Sequence, residues 1–225
     1  MKKVLITGSE GLIGSSIKQH LTSVGYDCAG LDYKLGHDLA DEVFVSNFFK
    51  DKKFDALVNL FALNHHIDGD GLKTNLFNIS LESFRKYMET NLVALFSVCR
   101  EYARNNKSGS IVNFSSTYGI TSPRKDLYVD EEKHVGYSVS KAGVLMLTKH
   151  LATHLAPNFR VNTIVPGGVF NDQSDEFVEK YATQTPMKRM MKTQELAGAV
   201  ELLISDASTY ITGTELKVDG GWTAW

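Results

Sequence analysis

Tyr137 and Lys141, in the run Tyr137-Ser138-Val139-Ser140-Lys141, stand four positions apart inside a strongly apolar segment of helical period. Residues at that spacing share one face of a helix, so a Lys141 ammonium is expected beside the Tyr137 phenol. An unperturbed tyrosine titrates near ~10, too high for a base at neutral pH. A neighbouring cation favours the phenolate and brings it toward the working range of a proton-transfer catalyst. An aromatic at the edge of a core beside a solvated lysine has the same spacing, and company elsewhere in the chain decides between the two.

That company begins at Thr7-Gly8-Ser9-Glu10-Gly11-Leu12-Ile13-Gly14, which follows a short apolar run and opens a helix-period segment. Glycines at such a junction allow a tight turn and let the backbone approach a pyrophosphate, which the first helical amides then bind. Asp32 follows Gly14 by 18 residues, at the end of the next apolar run, where dinucleotide folds carry the acid that binds the adenosine ribose. A carboxylate accepts hydrogen bonds from free ribose hydroxyls and repels a 2′-phosphate, and Glu10 adds negative charge nearby. NAD is therefore expected and NADP is less favoured, with Lys34 the one nearby cation that softens the preference.

These residues need a scaffold, and short apolar runs alternate with longer helix-period segments along the whole chain. The pattern predicts one α/β domain over 1–225, a Rossmann-type doubly wound and mostly parallel sheet with helices on both faces. Strands are expected near Lys3 to Thr7, Asp27 to Asp32, Phe54 to Leu60, Ser110 to Ser115, Arg160 to Val165 and Glu215 to Val218. A first helix carries Leu12, Ile13, Ile17, Leu21 and Val24 on one side. A long one after Ser80 carries Phe84, Met88, Leu92, Leu95 and Cys99. The helix of Tyr137 and Lys141 continues through Val144, Leu147, Leu151 and Leu155.

Composition narrows the partners. The 225 residues are 43% hydrophobic and 22% charged, with a net charge of -2, the profile of an ordinary soluble globule. Lys and Arg are scattered, so nucleic acid is not the expected partner; a small-molecule substrate is. The basic start Met1-Lys2-Lys3 precedes an apolar run that ends at Thr7-Gly8, too short for a signal-peptide core, and no membrane span is expected. Cys28 and Cys99 read as buried free thiols of a cytoplasmic protein.

The ordered set Thr7-Gly8, Asp32, Asp38-Leu39, Asn91, Ser115-Ser116, Tyr137-x-x-x-Lys141, Pro166-Gly167 and Thr212-Gly213 through Val218-Asp219-Gly220-Gly221 resembles the short-chain dehydrogenase/reductase family over essentially the whole chain. Within it, the Ser116 to Tyr137 segment, the turn Pro166-Gly167-Gly168-Val169 and the stretch from Tyr181 to Met191 look like bacterial members found with flagellin or surface-polysaccharide modification. The resemblance implies that Tyr137 moves a proton to or from the substrate oxygen while hydride passes to or from nicotinamide. It implies that Lys141 binds the nicotinamide ribose and lowers the Tyr137 pKa, that Ser116 orients the reacting oxygen and that Asn91 holds a relay water. Gly8, Gly11, Leu12 and Ile13 would line the pyrophosphate, Asp32 and the adjoining Tyr33 the ribose, and Asp38 and Leu39 the adenine. Phe61 would stand beside the adenosine half, and the Val169 backbone would meet the nicotinamide amide. A homotetramer or homodimer is implied, with the Tyr137 helix and the long helix before it pairing across subunits.

The chain departs from the family pattern in three places. The usual spacing is Thr-Gly-x-x-x-Gly-x-Gly, whereas these glycines are Gly8, Gly11 and Gly14, as in the longer sugar-nucleotide epimerases and dehydratases. Those need an extra C-terminal substrate domain, for which the residues after Gly221 leave no room. The family's Asn-Asn-Ala-Gly reads Asn59-Leu60-Phe61-Ala62. Ser116 and Tyr137 are 21 positions apart, and the insert holds Pro123-Arg124-Lys125 and Asp130-Glu131-Glu132. Arg124 or Lys125 could meet an anionic group such as a sugar phosphate; a solvated mixed-charge loop is the plainer reading.

His65-His66-x-Asp68-x-Asp70 and the His150, His154 pair have metal-ligand types without the three or four ligands of a zinc site. Substrate contact is open to His65 and His66, and an outer helix face or subunit contact suits His150 and His154. The expected activity is NAD-dependent interconversion of a secondary alcohol and a ketone, on a sugar or amino-sugar derivative. The alternative is a nucleotide-sugar epimerase or lyase that keeps its NAD bound. A binder without turnover would have no use for the Asn91, Ser116, Tyr137, Lys141 set.

Overall fold

The computed structural model describes residues 1–64, 75–128 and 132–225. Its centre is one six-stranded sheet in which every neighbouring pair runs parallel. The strands are β1 (Lys3–Thr7), β2 (Asp27–Leu31), β3 (Ala56–Asn59), β4 (Gly109–Phe114), β5 (Phe159–Pro166) and β6 (Glu215–Val218). All six expected strands are present, β1 and β6 with the expected ends and the other four with ends shifted by a residue or two. Asp32 falls just outside β2, where its side chain accepts the Lys34 N–H of a short turn.

The order is β2-β1-β3-β4-β5-β6, so the chain steps outward from β1 to β2 and then returns to the other side of β1. Connections therefore diverge between β1 and β3, and the crevice at the carboxyl ends of those strands is where such sheets bind ligands. Among the described residues β2 and β6 are the two edges, and a short turn, Tyr33–Leu35, lies in the loop between β2 and the next helix.

Alternation along the strands builds two cores. Val4 and Ile6 face Ile17 and Leu21 of α1 (Leu12–Ser23), while Leu5 faces the opposite side with Leu57, Ile111 and Val161. Helices α2 (Glu42–Lys50), α3 (Leu81–Met88), α4 (Ala94–Asn105) and α5 (Val135–Leu155) follow in chain order, then α6 (Asp175–Gln184) and α7 (Ala197–Ile204). α2, α4 and α5 add residues to the Leu5 core, and α1 and α7 to the other, so both faces are covered and the central strands are mostly apolar. No helix among the described residues is long and apolar enough to cross a membrane.

The long helix expected after Ser80 is interrupted. Ser80 caps α3 by accepting the Ser83 N–H, and a π turn, Glu89–Val93, then separates α3 from α4. Such bulges rotate a side chain out of helical register and concentrate at functional sites. Asn91 sits at the middle of this one.

Candidate active site

The glycine turn closes on itself. Gly8 has φ +73°, a left-handed conformation, and a Cβ there would stand 2.6 Å from the Phe61 backbone N after β3. A Cβ on Gly14 would stand 2.0 Å from the Gly8 carbonyl oxygen, which no side-chain shift relieves. Gly11 is the N-cap of α1 and brings no side-chain cap, so the first amides of α1, those of Leu12 and Ile13 included, are left for an outside acceptor. This is the cradle a pyrophosphate fits, and the altered glycine spacing preserves it.

Asp32 is buried, and its carboxylate ties the turn to β2 by accepting the Glu10 N–H at 2.9 Å and the Lys34 N–H at 2.9 Å. Each oxygen keeps acceptor capacity for a hydroxyl. Lys34 reaches back to donate to the Glu10 carbonyl at 3.1 Å. Tyr33 is exposed beside it. Asp38 accepts the Ala40 N–H, whereas the Leu39 side chain is buried in the core, which leaves its backbone for a ligand. Phe61 packs partly against that same core.

The second group gathers at the ends of β4 and β5. Lys141 is 5% exposed, and its ammonium donates to the Phe114 carbonyl at 2.8 Å. Ser115 locks the helix to the strand by donating to the Lys141 carbonyl at 2.7 Å. Ser116 is buried and accepts the Tyr118 N–H at 3.1 Å. Burial pushes the Tyr137 phenol above its ordinary value, and a hydrogen bond with Ser116 pulls the other way.

The expected electrostatics are corrected here. The Lys141 ammonium lies 5.9 Å from the Tyr137 ring centroid and donates to the Phe114 carbonyl, and desolvation lowers its own pKa to about 8. Ser116, rather than Lys141, opposes the upward shift of the phenol. Lys133 is closer to the Tyr137 ring, at 4.6 Å from its centroid; it precedes the helix and carries no periodic signal that would have singled it out.

Asn91 is brought to the same place. Its amide accepts the Leu63 N–H at 2.6 Å and donates to the Leu63 carbonyl and the Ser140 hydroxyl, each at 3.0 Å. Ser140 in turn donates to the Tyr137 carbonyl. The side chain thus clamps the loop after β3 to the first turns of α5. Val169 pairs with Met191 through the flanking Phe170 and Gly168, and its carbonyl accepts from Gln173.

Beneath this layer runs a row that sequence reading missed. Thr7, Asn59, Asn113 and Thr163 stand in register on adjacent strands. Thr7 donates to Asn59 Oδ1 at 3.0 Å, Asn59 to Asn113 Oδ1 at 2.9 Å, and Asn113 to Thr148 of α5 at 2.9 Å. Thr163 donates to the same Thr148 at 2.7 Å. A polar residue near the end of each of four neighbouring strands, β1, β3, β4 and β5, was the available signal.

The inserted loop neutralises its own charges. Arg124 pairs with Asp126 at 3.3 Å, and Lys125 with Glu132 at 3.4 Å. His150 and His154 stack on each other at 4.0 Å on the exposed side of α5. No group of three metal-binding side chains occurs among the described residues. His65, His66, Asp68, Asp70, Asp130 and Glu131 lie outside the described residues. Cys28 and Cys99 are free thiols; Cys99 is buried, which pushes its thiol up to about 12, while Cys28 is part-exposed.

A family model for enoyl-(acyl carrier protein) reductase matches residues 19–223. The chain is 32% identical over 181 residues to post-translational flagellin modification protein A of Campylobacter coli, covering 78% of this chain and 70% of that protein. It is 30% identical over 247 residues to the 3-oxoacyl-(acyl-carrier-protein) reductase of Aquifex aeolicus, covering 98% and 96%. Among solved structures, a short-chain dehydrogenase of Leptospira borgpetersenii with bound NAD+ superposes with a TM-score of 0.88 at 31% identity, covering 99% of this chain and 92% of that one. A chain of Agrobacterium tumefaciens assigned as a 2-deoxy-d-gluconate 3-dehydrogenase, with bound NADP, gives 0.85 at 26% identity over 100% and 97%. With the glycine cradle, the buried acid and the Ser116, Tyr137, Lys141 cluster all at the carboxyl ends of the strands, these matches make the chain a member of the short-chain dehydrogenase/reductase family of oxidoreductases, which act on CH–OH groups with a nicotinamide cofactor.

Proposed function

We propose that this oxidoreductase uses NAD to interconvert a secondary alcohol and a ketone on a sugar or amino-sugar derivative. The observation that carries the reading is the joining of Ser116, Tyr137 and Lys141 at the end of β4, with the phenol hydrogen-bonded to a serine and the lysine fixed by a strand carbonyl.

A bound nicotinamide ring accepts or supplies the hydride. Ser116 donates to the reacting oxygen and orients it, and Tyr137 gives or takes that oxygen's proton. Lys141 binds the nicotinamide ribose with the ammonium protons not used by Phe114. Asn91 acts by fixing the Leu63 loop and α5, because its amide is engaged with Leu63 and Ser140. Gly8, Gly11, Leu12 and Ile13 meet the pyrophosphate, Asp32 and Tyr33 the ribose, and Asp38 and Leu39 the adenine. Phe61 flanks that half, and Val169 meets the nicotinamide amide. Since burial raises the Tyr137 phenol, it is protonated at neutral pH. Ketone reduction then needs no prior ionisation, and alcohol oxidation should accelerate as pH rises.

NAD is favoured over NADP by the buried Asp32 carboxylate, which meets ribose hydroxyls but repels a 2′-phosphate. The Leptospira relative's NAD+ agrees with this and the Agrobacterium chain's NADP does not. The sugar class draws on the names of the flagellin-modification and gluconate relatives. The epimerase or lyase reading draws no support from these relatives. Pairing of two or four copies through α4 and α5 is favoured by Phe96 and Met146, large apolar residues exposed on those helices.

The test is reduced-cofactor absorbance from the purified protein with NAD or NADP and a panel of neutral, amino and acidic sugars. Stoichiometric NADH with a higher kcat/KM for NAD is expected. No reduced cofactor from any substrate, or a higher kcat/KM for NADP, would contradict the reading.

A further inference from the structure

We propose that Lys133 seats an anionic group of the substrate, a carboxylate or phosphate, and so selects acidic sugars over neutral ones; this deepens the oxidoreductase reading and rests on Tyr137 as its reacting centre. The Lys133 ammonium stands over the Tyr137 ring, 4.6 Å from its centroid, nearer than Lys141 at 5.9 Å. It donates to the side-chain and main-chain oxygens of Asn64, at 2.5 and 3.0 Å, and both acceptors are neutral. Among the described residues no carboxylate pairs with it. The residue is part-buried, and desolvation pulls its ammonium down to about 8.

An ammonium withdrawn from water without a carboxylate loses hydration that two carbonyl dipoles do not replace. The aromatic face below offers only a modest cation–π attraction. The ring and Asn64 hold the charge in position while leaving it unneutralised. Lys133 also lines a cleft of about 700 Å³, walled by Tyr118, Tyr128 and Val139, whose other cations, Arg124 and Lys125, are paired with Asp126 and Glu132. The cleft therefore has one unmatched positive charge among its described residues, and that charge stands over the ring of Tyr137, which borders the cleft without lining it. An anion there forms a charge-assisted hydrogen bond and restores the balance.

The experiment is calorimetric titration of the NAD-loaded protein with glucose 6-phosphate and with gluconate, each against glucose. The two acids separate a phosphate seat from a carboxylate seat. At least one acid is expected to bind about tenfold or more tightly than glucose, as one charge-assisted bond allows. Lys133→Met and Lys133→Gln should lose that margin, Lys133→Arg should recover most of it, and Arg124→Ala and Lys125→Ala should keep it. NAD affinity, measured in parallel, should match wild type in every variant that has folded.

The proposal is overturned if neither acid outbinds glucose, if both neutral Lys133 variants keep the margin, or if the margin follows Arg124 or Lys125. Acid binding that depends on Lys133 without NADH from any sugar leaves the anion seat standing and removes the oxidoreductase reading. NADH formation whose KM for the acids ignores Lys133 does the reverse.

Discussion

Two polar layers lie close together at the carboxyl ends of the strands, about two turns apart along α5, and they differ in what each leaves unsatisfied. In the row Thr7, Asn59, Asn113, Thr148 and Thr163, neutral donors meet neutral acceptors from strand to strand and on to the helix. In the layer of Tyr137, Lys141 and Lys133, two ammoniums depressed to about 8 and a phenol raised by burial have only neutral oxygens as described hydrogen-bond partners. Satisfied polar groups hold register at little cost, whereas desolvated charges without counter-charges are expensive. The lower row therefore reads as scaffold, and the upper layer as a site whose balance a ligand completes.

Separating stability from activity in the two layers is the way to break that comparison. Asn113→Leu strips partners from both Asn59 and Thr148, so a loss of about 3 kcal/mol of unfolding free energy, read as a lower urea midpoint, is expected, with the pH profile of the surviving enzyme unchanged. An unmoved midpoint with lost activity would put Asn113 in the catalytic layer. Ser116→Ala should behave oppositely. kcat should fall about a hundredfold, while stability changes by no more than about 1 kcal/mol, the order of the bond Ser116 accepts from the Tyr118 N–H.

Two smaller effects sharpen the account. Asp32→Ala should lower the ratio of kcat/KM for NAD to that for NADP about tenfold, read from parallel progress curves; an unchanged ratio would take the acid out of cofactor choice. Lys141 then gives the finest test. Its folded pKa of about 8 is below the unfolded value near ~10.4, so between these the unfolded chain holds a proton the folded chain lacks. Its contribution is fully present above the unfolded value and is lost as pH falls through about 8. Relative to Lys141→Met, wild type should gain roughly 1 kcal/mol in denaturant stability from pH 8 to pH 9. A difference independent of pH would mean the ammonium is not desolvated.

Much of this was legible in the chain. β1 and β6 span Lys3–Thr7 and Glu215–Val218 as expected, and the other four strands differ only at their ends, because a buried parallel strand shows as a mostly apolar run. Ser116, Tyr137 and Lys141 stand near one another beyond β4, and the glycine turn follows β1. What escaped reading depends on neighbours distant in sequence. The π turn at Asn91 leaves no mark on the apolar period of its helix. The direction of the Tyr137 shift follows from how deeply the phenol is buried, which spacing alone does not give. Lys133 precedes α5 and gains meaning only when the Asn64 loop and the Tyr137 ring close around it.

The central claim is that cofactor binding and proton transfer are held at different places along the carboxyl ends of the strands, and Tyr137→Phe tests it most directly. NAD affinity by fluorescence titration should stay within about threefold of wild type, since the adenosine half is untouched. NADH formation should fall by about a thousandfold, within the range of a lost general acid–base group. Full turnover in Tyr137→Phe would contradict the account.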